Sequence, residues 1–184
     1  MISFASTETA PSFDHPLEML SACHGKIHRQ LDTLQKLAAH LPAHGCDQQV
    51  RQAAQGILRY FDTAGQFHHQ DEEEHLFPTL LALDTPEKSA VKALIADLLD
   101  QHAVMFAAWS DVRAVLVKLA EGVNTPLPEA LVKKLVGSYT PHIELEETQL
   151  LTLSARLLSP QQIMALGKNM AERRGAKFPA APAS

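Results

Sequence analysis

From Leu17 to Leu41 apolar residues return every three or four positions, at Leu20, Ile27, Leu31, Leu34, Leu37, Ala38 and Leu41. Three further long segments repeat that spacing, so the chain has to bury its stripes by packing helix on helix. Asp14 and Pro16 open the first segment, and Pro42 with Gly45 closes it. The second runs from near Asp47 through Val50, Ala53, Ala54, Ile57, Leu58 and Phe61 into the charged stretch 68–75, where Pro78 kinks or ends it. Thr85-Pro86 opens the third, which carries Val91, Leu94, Ile95, Leu98, Leu99, His102, Met105, Phe106 and Trp109 to about Leu119. The fourth spans about Pro128 to the 150s, with Pro141 as a bend, and Ser159-Pro160 caps a short fifth through Met170. Strand-like runs of Val, Ile, Thr and Tyr are absent. The expectation is an all-α, antiparallel up-down-up-down four-helix bundle with a short fifth C-terminal helix. It forms one domain over residues 14–175, with flexible termini at 1–13 and 176–184.

Chemistry enters through the histidines, of which there are ten in 184 residues. The formal charge of -5 offers no electrostatic footprint for nucleic acid. No apolar stretch is long enough for a bilayer, and the N-terminus lacks a signal-peptide pattern. Cys23 and Cys46 read as two reduced thiols, and the expected compartment is cytoplasmic.

His69 precedes Glu73 by four residues, and His142 precedes Glu146 by four. In a helix each pair shares a face, so an imidazole nitrogen and a carboxylate oxygen reach one ion or two neighbouring ones. His24 on the first segment and His102 on the third add one imidazole each, so every long helix contributes. Alone, a His-x-x-x-Glu pair is an ordinary surface ion pair, and the run Asp71 to Glu74 is an ordinary solvated face. Placement weighs against that, because His102 sits within an apolar stripe and Glu146 shares one with Tyr139 and Leu150. His68 with Glu72 is a competing register; His69 with Glu73 is preferred because Leu76, Phe77 and Leu80 lie at +3, +4 and +7 from Glu73. His28 is a second candidate on the first helix, or a polar flank. His75 reads as a partner for the acidic run, and His15, His40 and His44 as solvated.

Imidazole and carboxylate without thiolate suit divalent iron, manganese or zinc, whereas calcium and magnesium prefer all-oxygen sites. Six ligands with two carboxylates argue for a metal pair, because zinc usually settles in one tetrahedral site. On these residues the candidate ligands are His24, His69, Glu73, His102, His142 and Glu146.

These stretches resemble the hemerythrin-like, or HHE cation-binding, family: Cys23 to Ile27, His68 to Pro78, His102 in its apolar stripe, and His142 to Leu151. The resemblance spans roughly residues 14–155 and places the family's ligands on the same six positions. It implies two iron ions bridged by oxo or hydroxo and by carboxylate groups, with manganese or zinc as alternatives. Two positions depart from the family's oxygen carriers, which have a second His where Phe106 stands and an Asp five residues after the helix-four His. The pattern is closer to the bacterial iron-sulfur repair proteins, but their cysteine-bearing N-terminal domain has no counterpart here. The expected function is therefore a di-iron protein that binds oxygen, nitric oxide or peroxide for sensing, scavenging or stress response. The alternatives are iron storage or donation, as in cluster repair, or a structural bundle with a zinc-filled site. Turnover as an enzyme is less expected than small-ligand binding, and the fifth helix leaves a homodimer open.

Overall fold

Helix α1 (Pro16–His44) buries Leu20, His24, Ile27, Leu31, Leu34, Leu37 and Leu41, one stripe at three- and four-residue spacing. The computed structural model describes residues 12–178, so the expected flexible termini lie largely outside the described residues. Pro42 does not end α1. It lies in the last turn, where it removes one backbone hydrogen bond, and the helix stops at Gly45 with φ of 65°.

The side chain of Asp47 accepts from Val50 N at 2.9 Å and starts α2 (Gln48–Phe61). Here the expected continuous second helix is interrupted. Thr63 has non-helical dihedrals, and the chain resumes as α3 (Ala64–Asp71). At the break, Asp62 is drawn toward the next long helix, accepting from Trp109 Nε1 at 3.3 Å and from Arg113 Nε at 2.9 Å. A π-helical turn (Glu72–Leu76) follows, closed by Phe77 N–H donating to Glu72 O five residues back. Pro78 follows in α4 (Phe77–Leu81); it has no N–H for an i→i−4 bond, and its ring clashes with the carbonyl that such a bond would use.

Helix α5 (Lys88–Ala120) starts two residues later than Thr85-Pro86 suggests, because those residues form the preceding turn, with Lys88 N–H on Thr85 O. Helix α6 (Glu129–Leu145) contains Pro141 and leads into a second π-helical turn (Glu146–Leu150), then α7 (Leu151–Leu157). Pro141 lies inside α6, and the π turn begins five residues after it. In α8 (Pro160–Arg173) a reciprocal cap is formed: Ser159 Oγ accepts from Gln162 N, and Gln162 Oε1 accepts from Ser159 N. Gly167 of α8 has no side chain where the carbonyl oxygen of Phe13 crosses, so any Cβ would collide with it.

Every secondary-structure element among the described residues is helical, and no helix among them is long and apolar enough to cross a membrane. α1 packs on α2 and on α6, and α5 packs on the same two. Apolar residues form two clusters. One contains Ile27 to Leu41 of α1, Val50 to Phe61 of α2, Met105 to Leu119 of α5, and Val132 to Ile143 of α6. The other contains Leu20, Leu76 to Leu80, Val91 to Leu98, Leu150 to Leu158, and Leu166 and Met170 of α8. On each of the four long segments a buried His, or a His and a Glu, falls between the two clusters.

α8 is tied to the first π turn by charge. Asp71, fully buried, lies 2.9 Å from Arg173 Nε and 2.7 Å from Arg174 Nη2, while Arg173 Nη2 donates to Glu74 at 2.7 Å. These arginines, rather than His75, partner the acidic run; His75 faces Asn169 at 3.2 Å. Removing both arginines strands a buried carboxylate, so Arg173→Ala/Arg174→Ala is expected to lower unfolding stability by about 3 kcal/mol in urea titrations. A loss below about 0.5 kcal/mol would mean that water replaces them freely.

Candidate metal centre

Seven buried side chains fill the polar layer between the two clusters. His24, His68, Glu72 and Glu146 form one group whose ligand atoms all lie within 4.8 Å of one another, and His69, His102 and His142 form another. None of the seven is more than 4% exposed.

The carboxylates lie between the two groups. Glu146 Oε2 is 2.9 Å from His24 Nε2 and 3.9 Å from His68 Nε2, while its Oε1 is 3.2 Å from His142 Nε2 and 3.9 Å from His102 Nε2. Glu72 is arranged alike, with Oε1 at 3.3 Å from His68 Nε2 and Oε2 at 3.6 Å from His102 Nε2. Each carboxylate thus turns one oxygen toward each histidine group.

Three of the outward-facing nitrogens are held. His24 Nδ1 is 2.6 Å from Glu147 Oε1, and His102 Nδ1 is 2.6 Å from Glu73 Oε1. A carboxylate only accepts, so each Nδ1 carries the proton and each Nε2 presents a lone pair inward. His142 Nδ1 donates similarly to Gln101 Oε1 at 3.1 Å. Inward, the pattern reverses: Nε2 of His24, His69, His102 and His142 and all four oxygens of Glu72 and Glu146 have no hydrogen-bond partner. Buried polar atoms are rarely left this way, since each costs about 1–3 kcal/mol. A cation in the layer satisfies them together, and the donor set is one that divalent transition metals accept. The residues fit a metal.

Protonation follows the same geometry. Burial pushes Glu72 well above the carboxylate range, reinforced by the charge of Glu146. Burial also raises Glu146, but the imidazoles of His102, His142 and His24 that surround its carboxylate outweigh this in the metal-free layer and hold it well below that range. Burial lowers His68 to about 3 and carries His69 well below its usual value. For His24 the lowering by burial is overcome by Glu146 and Glu147, and the net shift is upward.

Of the six residues singled out in the sequence, the structure brings five into the layer: His24, His69, His102, His142 and Glu146. Glu73 is outside both groups, its carboxylate spent on His102 Nδ1. Glu72 takes the inward position, and His68, set aside as the wrong register, is buried beside it. The π turn accounts for the carboxylate. Its extra residue lies between Glu72 and Phe77, so the apolar stripe of Leu76, Phe77 and Leu80 continues from Glu72 and not from Glu73. His68 and His69, adjacent in α3, are both buried beside it. The His68-His69 doublet ahead of an acidic run and Pro78 was the available signal. His69 also packs edge-on against Phe106, centroids 5.0 Å apart, so α3 supplies an imidazole beside the position where α5 lacks one. His28, His15 and His44 are exposed, and His40 faces Asp47 at 2.8 Å, away from the layer.

Residues 15–154 match the family model for the hemerythrin HHE cation binding domain. An uncharacterized protein of Haemophilus influenzae is 31% identical over 166 residues, 90% of this chain and 94% of that one. With the match spanning most of the chain and the polar layer falling within it, this protein belongs to the hemerythrin HHE cation-binding domain family.

Proposed function

We propose that the chain is a non-haem di-iron protein of one domain (residues 14–175), folded as an antiparallel up-down-up-down four-helix bundle with α8 packed across one end. Successive long segments meet the two apolar clusters in opposite order, as alternating helix directions require. The observation that carries the metal reading is the set of orphaned inward atoms, with each of two carboxylates facing both histidine groups.

In this reading His24 and His68 would hold one ion and His69, His102 and His142 the other, with Glu72 and Glu146 facing both groups. Glu73 replaces nothing in the first sphere; with Glu147 and Gln101 it orients imidazoles. Iron bound there supplies one-electron chemistry and affinity for oxygen, nitric oxide or peroxide. The group with two imidazoles offers one nitrogen fewer than its neighbour, so such a ligand would bind on that side. The protein residues exclude bulk water from the layer, and Glu147, Glu73 and Gln101 hold the Nδ1 protons of His24, His102 and His142 so that Nε2 of each is free for the metal. Sensing, scavenging or stress response in the cytoplasm follows as the role, with small-ligand binding favoured over turnover.

The test is elemental analysis of anaerobically prepared protein, followed by absorption spectra with oxygen, nitric oxide and peroxide. About two irons per chain and a charge-transfer band that shifts with nitric oxide are expected. One stoichiometric zinc and a featureless spectrum would overturn the iron reading.

A further inference from the structure

Beside the three-histidine group, a cleft of about 460 Å³ opens between α2–α3 and α5–α6, lined among others by Phe61, Gly65, His69, Phe106, Trp109 and Tyr139. A diatomic needs no such space, since one water occupies about 30 Å³ of liquid, and the volume lies in the range of small-molecule sites. Its walls are aromatic: Phe61 and Trp109 lie 4.6 Å apart, and Phe106 remains 43% exposed at its edge. Glycine at position 65, where a Cβ would make ordinary contact with Phe61 at 3.4 Å, keeps the space open.

The rim carries charge of one sign. Gln66, Gln70, Glu73 and Glu74 line it, and no lysine or arginine does. Arg173 pairs with Glu74 at 2.7 Å, while Glu73 accepts from His102 Nδ1 and has no lysine or arginine partner among the described residues. Aromatic faces and a carboxylate without such a partner favour a cationic head and oppose an anionic one.

We infer that this cleft binds a small aromatic molecule bearing an amine, seated on Trp109 and Phe106 with its ammonium toward Glu73. The site goes beyond the metal reading and does not depend on which ion the layer holds.

Trp109 is the chain's single tryptophan, so the wall of the cleft reports on itself. Phenethylamine, titrated into full-length protein of measured metal content, should change Trp109 emission saturably, with Kd on the order of 1 mM or tighter. Phenylacetate, of like size and opposite charge, should bind at least tenfold more weakly. Gly65→Leu fills the cleft and should weaken phenethylamine tenfold or more, with helicity and metal content unchanged. Gln66→Lys, an exposed change, should weaken phenethylamine and strengthen phenylacetate. Absence of a saturable change to about ten times the expected Kd overturns the proposal. So does equal binding by Gly65→Leu, or a preference for phenylacetate in the unmodified protein. Loss of the iron reading with phenethylamine binding intact would leave this site standing, so the two fail separately.

Discussion

Glu72→Gln is expected to empty the metal layer, whereas Glu73→Gln, one residue away, should leave it filled but weakened. The reason is geometric. Glu72 presents one oxygen to each histidine group, while Glu73 reaches the layer only through His102. Loss of an outer partner costs about 10–100-fold in metal affinity, and loss of a carboxylate that faces both histidine groups should exceed that. Stability should divide the same way. With metal present, the Glu72 variant loses the binding energy that supports the fold. Without metal it should be as stable as the parent or more so, because burial already holds Glu72 in its neutral form and the amide removes that cost. Metal content after dialysis against a chelator, read beside urea unfolding, checks both halves. A loaded Glu72→Gln and an empty Glu73→Gln would reverse the assignment.

The second large effect is acid sensitivity of the metal-free fold. His68 and His69 have folded pKa values lowered by burial, so the unfolded chain binds more protons than the folded one below pH 6.5 and stability falls with pH. Glu72, raised by burial, opposes them from pH 6.5 down to 4.5, where the folded state holds the extra proton. Two imidazoles less one carboxyl leave about one proton, or about 1.4 kcal/mol per pH unit. Below 4.5 Glu72 drops out and Glu146, held low by its histidines, joins, so the slope should approach about 4 kcal/mol per unit. Above pH 6.5 the sign reverses, as raised Glu72 and His24 lose protons that the unfolded chain does not hold. Urea unfolding of metal-free protein between pH 3 and 8 should give a maximum near 6.5, steeper on its acid flank. A flat profile from 6.5 to 4.5 would contradict the burial argument.

Much of this was legible in the residues. His24 lies four after Leu20 and three before Ile27, and His102 stands between Leu98 and Met105, so regular helices carry both inward. Glu146 was visible for the same reason, four residues before Leu150 and four after His142. The stripe argument failed between 62 and 78, where the chain is not one helix. Extending the pattern backward from Leu76, Phe77 and Leu80 at α-helical spacing crosses a turn with five residues per hydrogen-bonded step and lands on Glu73. The break at Thr63 was equally hidden, because it depends on Trp109 and Arg113, almost fifty residues away, reaching Asp62. Leu99 and Phe106, read as inward, are 42% and 43% exposed on the flanks of the α5 stripe.

The two π turns also decide where the chain can lose a residue. Each is one residue longer than the α-helical turn it replaces, and each begins on a carboxylate of the polar layer. Deleting one residue from 73–75 would leave Leu76, Phe77 and Leu80 three, four and seven positions after Glu72, the spacing of one α-helical face, so they would keep the cluster they fill. Deleting one residue from 147–149 would likewise leave Leu150 and Leu151 three and four positions after Glu146. One residue removed from the regular winding on either side would instead rotate everything beyond it by about 100°. Relatives that differ in length within these segments are therefore expected to differ at the two turns, where a helix one residue shorter keeps its phase.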